Sequence, residues 1–289
     1  MTNSLVTIDI NNFESMAEVM GVSRTESKRS STLARLRLQH SAILGDDKVL
    51  VKAGQYKLEV PDGPTYYAQS VTIRPYLQRF MYKRFIKGFG ETPNRYVKTV
   101  MANNLNIDLK DNEGGFNCGK PAGYIEDFKS LPEKTQELIK QIKRVRVMFG
   151  TVELINPTDE QGNSVEVDEM PFIWEIENRD AFKDVGVVFT KLTKMKRLPV
   201  QHYVTGNTQE RKLPSGNSFY LPVVSLDVTK TLDLGDKEHD IFGGFMAWVE
   251  SYNEYIINQW SEGASQHDDV IDAEISEGII DVELDEEVA

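Results

Sequence analysis

From Leu33 to Leu226 short runs with a hydropathy period of two recur along the chain, and they constrain the fold more than any other feature. Leu36 and Leu38 alternate with Arg35 and Arg37, and similar short runs follow at 49–51, 56–60, 65–74 and 76–87. Side chains of a strand point alternately to its two faces, so a sustained period of two reads as strands. The runs are punctuated by Lys52-Ala53-Gly54 and by Pro61-Asp62-Gly63-Pro64, both built from residues that favour tight turns. The second turn predicts a hairpin between 56–60 and 65–71. Further strands are expected at 145–155, with Gly150 as a bulge, at 171–177, and in a hairpin of 200–206 with 218–226.

Helical spacing is confined to four places. Residues 11–20 carry Phe13, Met16, Ala17 and Met20 behind an Asn12 cap and stop at Gly21. Residues 131–142 start with Pro132 in the first turn and place Leu138, Ile139 and Ile142 on one stripe. Asn178 or Asp180 can cap a helix over Phe182, Val185, Phe189, Leu192 and Met195. The strongest pattern is 237–262, where Phe242, Phe245, Met246, Val249, Tyr252, Ile256 and Trp260 share a stripe. The expected class is therefore mainly β with inserted helices (α+β), a small OB-fold-like barrel rather than a doubly wound sheet. The expected organisation is an N-terminal helix and basic arm (1–32), a β-rich body (33–236), a C-terminal amphipathic helix (237–262) and a disordered acidic tail (263–289).

Charge divides along the same lines. The 289 residues hold 33 Lys and Arg against 45 Asp and Glu, a net charge of −12. Eleven of the acids lie in 262–289, where no base occurs, so residues 1–261 balance to −1, and 20–100 hold 15 bases against 6 acids. A global negative charge argues against a polyanion partner, but this placement does not. An acidic block of this kind serves as a solubility device or as a polyanion mimic for a basic groove. The single Cys excludes a disulfide framework and a Cys-based zinc site, and suits a reducing cytoplasm. No apolar run is long enough for a membrane span, and the first twelve residues lack the basic and apolar blocks of a signal peptide.

Catalytic patterns are weak. Gly114 to Lys120 matches half of a phosphate-binding loop, but Pro121 stands where Ser or Thr would hold a metal ion, and no buried strand precedes it. A flexible glycine loop within 103–123 explains it better. Asp108, Asp111 and Glu113 could gather a divalent ion there, though solvated loop acids are commoner. His40, His202, His239 and His267 are scattered, and Cys118 has no nearby His partner. The expectation is a non-enzyme without cofactor, metal or catalytic residue.

The segment that carries chemistry is 74–87, with five bases, four aromatics and no acid. Cations neutralise phosphates and aromatic rings stack on unpaired bases, the combination that non-specific single-strand binders need. Arg74, Tyr76, Arg79, Phe80, Tyr82, Lys83, Arg84 and Phe85 are therefore candidate nucleic-acid contacts, with Tyr76, Phe80 and Tyr82 on one face and Arg79 and Phe85 on the other. A strand that buries its aromatics and solvates its bases has the same composition. Tyr66 and Tyr67 could extend the platform. Supporting clusters are Lys143, Arg144 and Arg146; Lys194, Lys196 and Arg197; and Arg211 with Lys212 in the last hairpin connector.

A β-rich body with basic-aromatic strands and an acidic C-terminal segment resembles the bacteriophage single-stranded DNA-binding proteins, over residues 33–289. Runs such as Ile142-Lys143-Arg144-Val145-Arg146-Val147-Met148-Phe149-Gly150 and Ala68-Gln69-Ser70-Val71-Thr72-Ile73-Arg74-Pro75 resemble phage replication-region proteins. The resemblance implies non-catalytic coating of single-stranded DNA, or RNA, in phage replication or recombination in the host cytoplasm, with no membrane partner. It also implies that Asp281, Glu283, Asp285, Glu286 and Glu287 recruit replication proteins or cover the empty groove. A homo-oligomer is a separate expectation, since the last helix can either pack on the body or join protomers. Two features depart from the pattern: the chain ends Glu287-Val288-Ala289 without a terminal aromatic, and it lacks the zinc ligands of one phage subclass. Rival readings are a virion structural or assembly protein, and a metal-dependent nuclease or recombinase using the 103–123 loop.

Overall fold

A computed structural model describes residues 33–284 apart from 46–47, 89, 91–92, 122–124, 214–215 and 217, with side chains as far as Ala264. The expected N-terminal helix and basic arm, and residues 285–289, lie outside the described residues. The strands are β1 (Ala34–Gln39), β2 (Ile43–Leu44), β3 (Val49–Val51), β4 (Gln55–Glu59), β5 (Thr65–Ala68), β6 (Ser70–Ile86), β7 (Arg95–Lys98), β8 (Ile142–Ile155), β9 (Met170–Ile176), β10 (Val204–Lys212) and β11 (Ser218–Leu226). Helices are α1 (Glu133–Gln141), α2 (Arg179–Lys194) and α3 (Asp236–Leu284).

Nine strands form one mixed sheet in the order β11-β10-β6-β8-β9-β1-β4-β5, with β7 added beside β6; β2 and β3 form a separate ribbon. The α+β class holds. The hydrogen-bonded order is linear: it ends on β11 and β5 and does not close on itself. Side chains link its two ends instead. Tyr56 Oη on β4 donates to Asn207 O on β10 at 3.1 Å, and the Tyr220 ring lies against Gly54, where a Cβ would sit 2.4 Å from Cδ1. Gly54 also holds φ +83°, so glycine is required there twice over.

The predicted Pro61–Pro64 hairpin is present as β4 and β5, paired from Glu59–Thr65 to Tyr56–Ala68. Differences arise where a proline suggested a break. Pro75 does not separate two strands but lies inside the 17-residue β6, opposite Gly150, where the register slips between Pro75 and Leu77. A bulge absorbs the missing N–H of proline. Gly150 permits the crossing: a Cβ there would lie 2.4 Å from Arg74 O. The last hairpin runs Val204 to Lys212 rather than 200–206, with Val204 opposite Leu226 and Lys212 opposite Ser218.

Two large cores flank the sheet, and a third, smaller cluster of Tyr82, Val97, Leu109 and Cys118 joins it to the glycine-rich loop. On one face Leu36, Tyr56, Leu58, Met148, Phe172 and Trp174 pack against Ala181, Val185, Val188, Phe189 and Leu192 of α2. Asn178 caps that helix, its Oδ1 accepting from Asp180 N and Ala181 N. On the other face Leu77, Met81, Val145, Val147, Phe149 and Ile173 pack against Phe245 and Val249 of α3. Phe242, expected on the buried stripe, is 43 % exposed.

The glycine-rich loop is ordered by side chains, not slack. Asp111 is buried, and its carboxylate accepts from Glu113 N (3.1 Å), Gly115 N (2.9 Å) and Cys118 N (3.0 Å). Asn117 accepts from Leu109 N and donates to Asp108. Helix α3 closes over the loop: Asn253 binds both N and O of Met101, and Tyr252 Oη donates to Thr99 O. At the crossing point Gly114 and Gly263 touch backbone to backbone, since a Cβ on Gly114 would stand 2.6 Å from Ala264 N. Beyond this contact α3 continues to Leu284, where the sequence reading ended it at 262 and left 263–289 without regular structure. Residues 264–284 contain no proline, so nothing in the backbone chemistry stops the helix.

Candidate nucleic-acid interface

The register of β6 decides which expected contacts are available. Before the bulge Val71 and Ile73 face α2; after it Leu77, Met81 and Lys83 face α3, while Phe80, Tyr82 and Arg84 face the α2 side. Tyr76 is therefore parted from Phe80 and Tyr82: it is buried beside Leu77 and meets Phe245 edge-on at 5.6 Å.

Most of the expected cations are occupied inside the fold. Arg74 spends its guanidinium on Val200 O, Asp233 O and Glu238, each at 2.8 Å, tying the start of α3 to the sheet. Arg79 lies under α3 with Nη2 on Met246 Sδ at 3.4 Å and Nη1 on Gln78 O, and burial lowers its pKa. Arg146 is buried between Phe182 (4.6 Å) and Phe80 (4.9 Å), bonded to Phe182 O and Gln78. Burial pushes its pKa down to about 10. Tyr82 is buried and donates to Leu105 O, and Arg84 leans toward Glu113 at 3.8 Å. Arg197 donates to Val228 O. These six residues hold elements together and are withdrawn as a stacking or phosphate surface. Phe80 is half-buried against Phe182. Lys194, Lys196, Arg211 and Lys212 are exposed, the first two at the end of α2 and the others near the tip of the β10–β11 hairpin. Arg144 is also exposed, beside Phe182 at 5.7 Å.

What the register does bring together lies on the α3 face, beyond the end of the apolar core. Lys83 stands opposite Lys98 of β7 on one side and Lys143 of β8 on the other, three lysines abreast on adjacent strands. One residue pair further along, Phe85 stands opposite Tyr96, their rings 5.1 Å apart. Both rings are open to solvent, at 45 % and 50 % exposure. Neighbouring strands lie about 4.8 Å apart, and unit charges at roughly 5 Å repel by about 3 kcal/mol at an effective dielectric of 20. The row is therefore tenable only with counter-charge. Glu175 and Glu177 provide it: Lys83 Nζ lies 2.9 Å from Glu175 and 2.5 Å from Glu177, and Lys143 lies 3.0 Å from Glu177. Burial works against the Lys83 charge, but the two carboxylates outweigh it and leave the pKa above that of an ordinary lysine. Glu177 is held below the usual carboxylate range despite its burial, by Lys83 and Lys143.

Lys98 is the cation left over. Burial lowers its pKa, and Lys83 and Arg35 of β1 lower it further against the pull of Glu175 and Glu177. Among the described residues it has no ion pair within 4.0 Å. Its Nζ and that of Lys83 approach the Tyr96 ring, at 5.9 and 4.9 Å. Arg35 stands opposite Glu59 on β4, and the three lysines thus face two further glutamates, so the lysine row keeps a positive surplus. On α3, Tyr255 is 51 % exposed and follows by three residues the half-buried Tyr252, whose hydroxyl senses the charge of Glu175 in the patch.

Lys83, Phe85 and Lys143 were named by the sequence; Arg35, Tyr96, Lys98, Tyr255 and the two glutamates were not. The signal was there in Arg95-Tyr96-Val97-Lys98, a short period-two run, but its partner strand is set by tertiary pairing. Among the described residues no group of three or more His, Cys, Asp and Glu stands together as a cation site, and the Asp111 carboxylate is spent on backbone N–H groups. No helix of the described residues is long and apolar enough to cross a membrane. Compared with protein families, with curated proteins and with solved structures, the chain matches none.

Proposed function

We propose that this chain binds single-stranded nucleic acid without catalysing a reaction, laying the strand across β7, β6 and β8. The observation that carries this reading is the lysine row of Lys98, Lys83 and Lys143 set beside the exposed Phe85–Tyr96 pair. Phosphates run along the cations while bases stack on the rings, each stacked base contributing about 1–3 kcal/mol. Unpaired bases are needed, because a duplex keeps its base faces covered. The curved sheet serves as an OB-like platform in this reading, with α3 as one wall of the strand's path.

The same reading extends to biology. Coating of exposed strands during phage replication or recombination suits a non-specific single-strand binder. The acidic end of the chain, with Asp281, Glu283, Asp285, Glu286 and Glu287, serves as a docking segment for replication proteins and as a competitor for the basic face. Cytoplasmic location and self-association belong to the same proposal. Photo-crosslinking with an oligonucleotide carrying 5-iodouracil tests the placement directly. Adducts are expected on Phe85, Tyr96 or Tyr255; adducts confined to other parts of the sheet overturn it.

A further inference from the structure

Lys98 is the member of the lysine row that has no ion pair within 4.0 Å among the described residues, and the ladder sets it directly against Lys83. Thr99 N donates to Tyr82 O, so the next pair along, Lys98 with Lys83, is one whose members exchange no backbone hydrogen bonds. Cross-strand residues come closest in such a pair, with Cα atoms about 4.5 Å apart. Like charges placed directly opposite each other disfavour the pairing. Lys98 turns its backbone outward instead, its N donating to Asn112 Oδ1 at 2.8 Å and its O accepting from Asn112 N at 3.1 Å. Asn112 Nδ2 also donates to Tyr96 O at 3.3 Å, so one residue of the glycine-rich loop fixes both Tyr96 and Lys98 at the edge of β7.

Every element packed around Lys98 bears on its charge. Burial is the largest influence and favours the neutral amine. Lys83 of β6 and Arg35 of β1 act in the same direction, while Glu175 and Glu177 of β9 pull toward the ammonium. Both carboxylates are bonded to Lys83, and Glu177 also to Lys143 of β8. The Tyr96 ring stands 5.9 Å from Nζ, and the Tyr252 hydroxyl of α3 is committed to Thr99 O. The balance holds the Lys98 amine below the ordinary lysine value, whereas its partner Lys83 is held above it. A desolvated lysine beside a second cation is an activated nucleophile, because only the unprotonated amine has a lone pair to offer.

We infer that Lys98 is a nucleophilic amine and an acylation site, taking the acyl group of a small acyl phosphate. The positive surplus of the row draws an anionic donor toward it. The Nζ lone pair attacks the carbonyl carbon. The C–N bond forms, the C–O bond to phosphate breaks, inorganic phosphate leaves with that electron pair, and water takes the proton lost from nitrogen. The amide produced is neutral, so the row then holds two lysines against two glutamates and its surplus is gone. Acylation thereby weakens the hold on a single strand. That consequence rests on the nucleic-acid reading above; the reactivity of Lys98 does not.

Acetyl phosphate applied to the full chain, with acetylated peptides quantified by mass spectrometry, tests the site. At about pH 8 Lys98 is expected to react about threefold or more faster than the exposed Lys194, the gain from a larger unprotonated fraction. Lys83→Gln removes the like charge and is expected to slow Lys98. Glu175→Gln removes a carboxylate that favours the ammonium and is expected to speed it. Opposite signs separate an electrostatic cause from a loosened fold, which would speed both. Oligonucleotide anisotropy on the acetylated chain reads the consequence separately. A shallower salt slope supports both the site and the nucleic-acid reading; an unchanged slope leaves the site standing and takes Lys98 off the path of the strand. Lys98 reacting no faster than Lys194, or shifting in the same direction in both variants, overturns the inference.

Discussion

Replacing Asp111 by alanine separates a structural loop from a metal-binding one. In the fold the carboxylate accepts three backbone N–H groups at 2.9–3.1 Å and is 2 % exposed. Alanine leaves Gly115 N and Cys118 N without an acceptor inside the loop, and Glu113 N with only partial access to water. Hydrogen bonds to a charged group contribute about 1.5–3 kcal/mol each, and an orphaned buried donor costs about 1–3 kcal/mol. The three share one acceptor and are not additive, so a loss of about 3–5 kcal/mol follows. The loop also seats Trp260 and Asn253 of α3, through Lys110 over the indole ring at 3.8 Å and Met101 on the amide. Loosening it therefore propagates to the α3 core. At roughly 2–4 °C per kcal/mol for a domain of this size, the thermal midpoint falls by about 6–20 °C. Urea unfolding followed by tryptophan fluorescence reads the same loss as a lower midpoint. A variant within 1 kcal/mol of the parent that loses a Mg²⁺-dependent activity instead would refute the structural account and revive the nuclease reading.

Four further outcomes follow from the geometry. Gly114→Ala forces a Cβ to 2.6 Å from Ala264 N at φ +86°, so a loss of at least about 2 kcal/mol is expected in chemical unfolding, against a near-neutral result if the helix merely rests on the loop. Glu177 has a depressed pKa, so its contribution is present above the ordinary carboxylate value and is lost as pH falls through its folded value; Glu177→Gln removes that part of the acid limb of a stability–pH curve, leaving the neutral-to-alkaline limb in shape. Arg79→Ala lowers stability by withdrawing a group packed under α3, and leaves the salt dependence of oligonucleotide binding unchanged; a shallower slope would place Arg79 on the interface. Lys98→Gln is expected to reduce that slope by about 0.7 in a single-strand titration while the thermal midpoint stays within a few degrees.

Much of the architecture was legible because it rests on local chemistry. The Pro61–Pro64 turn, the Asn178 cap and the α2 stripe each follow from neighbouring residues. What escaped depends on distant pairing. Nothing near Pro75 announces that Gly150 will lie opposite it and let one strand run through, and that bulge alone moves Tyr76 to the other face. The basic-aromatic composition of 74–87 pointed to the ribbon that carries the proposed interface but named few of its side chains. Arg74, Arg79 and Arg146 look like ligand-seeking cations in sequence, and only tertiary structure supplies Val200 O, Met246 and Phe182 as their partners. Conversely Tyr96 and Lys98 drew no notice because a four-residue strand carries little pattern of its own. The glycine-rich loop misled for a related reason: glycines that suggest slack also allow close backbone contact, as Gly114 and Gly263 do.

The central claim is that a lysine row beside two open rings takes single-stranded nucleic acid. Fluorescence anisotropy with labelled single- and double-stranded oligonucleotides over a salt series tests it most directly, on the parent chain, a 1–261 truncation and Tyr96→Ala. The account predicts tighter binding of the single strand, a linear fall of log affinity with log salt, stronger binding after truncation, and a loss of about 1–3 kcal/mol in Tyr96→Ala. Negligible or salt-insensitive binding by both parent and truncation would contradict it and favour an assembly role, and undiminished binding by Tyr96→Ala would remove the interface from this face of the sheet.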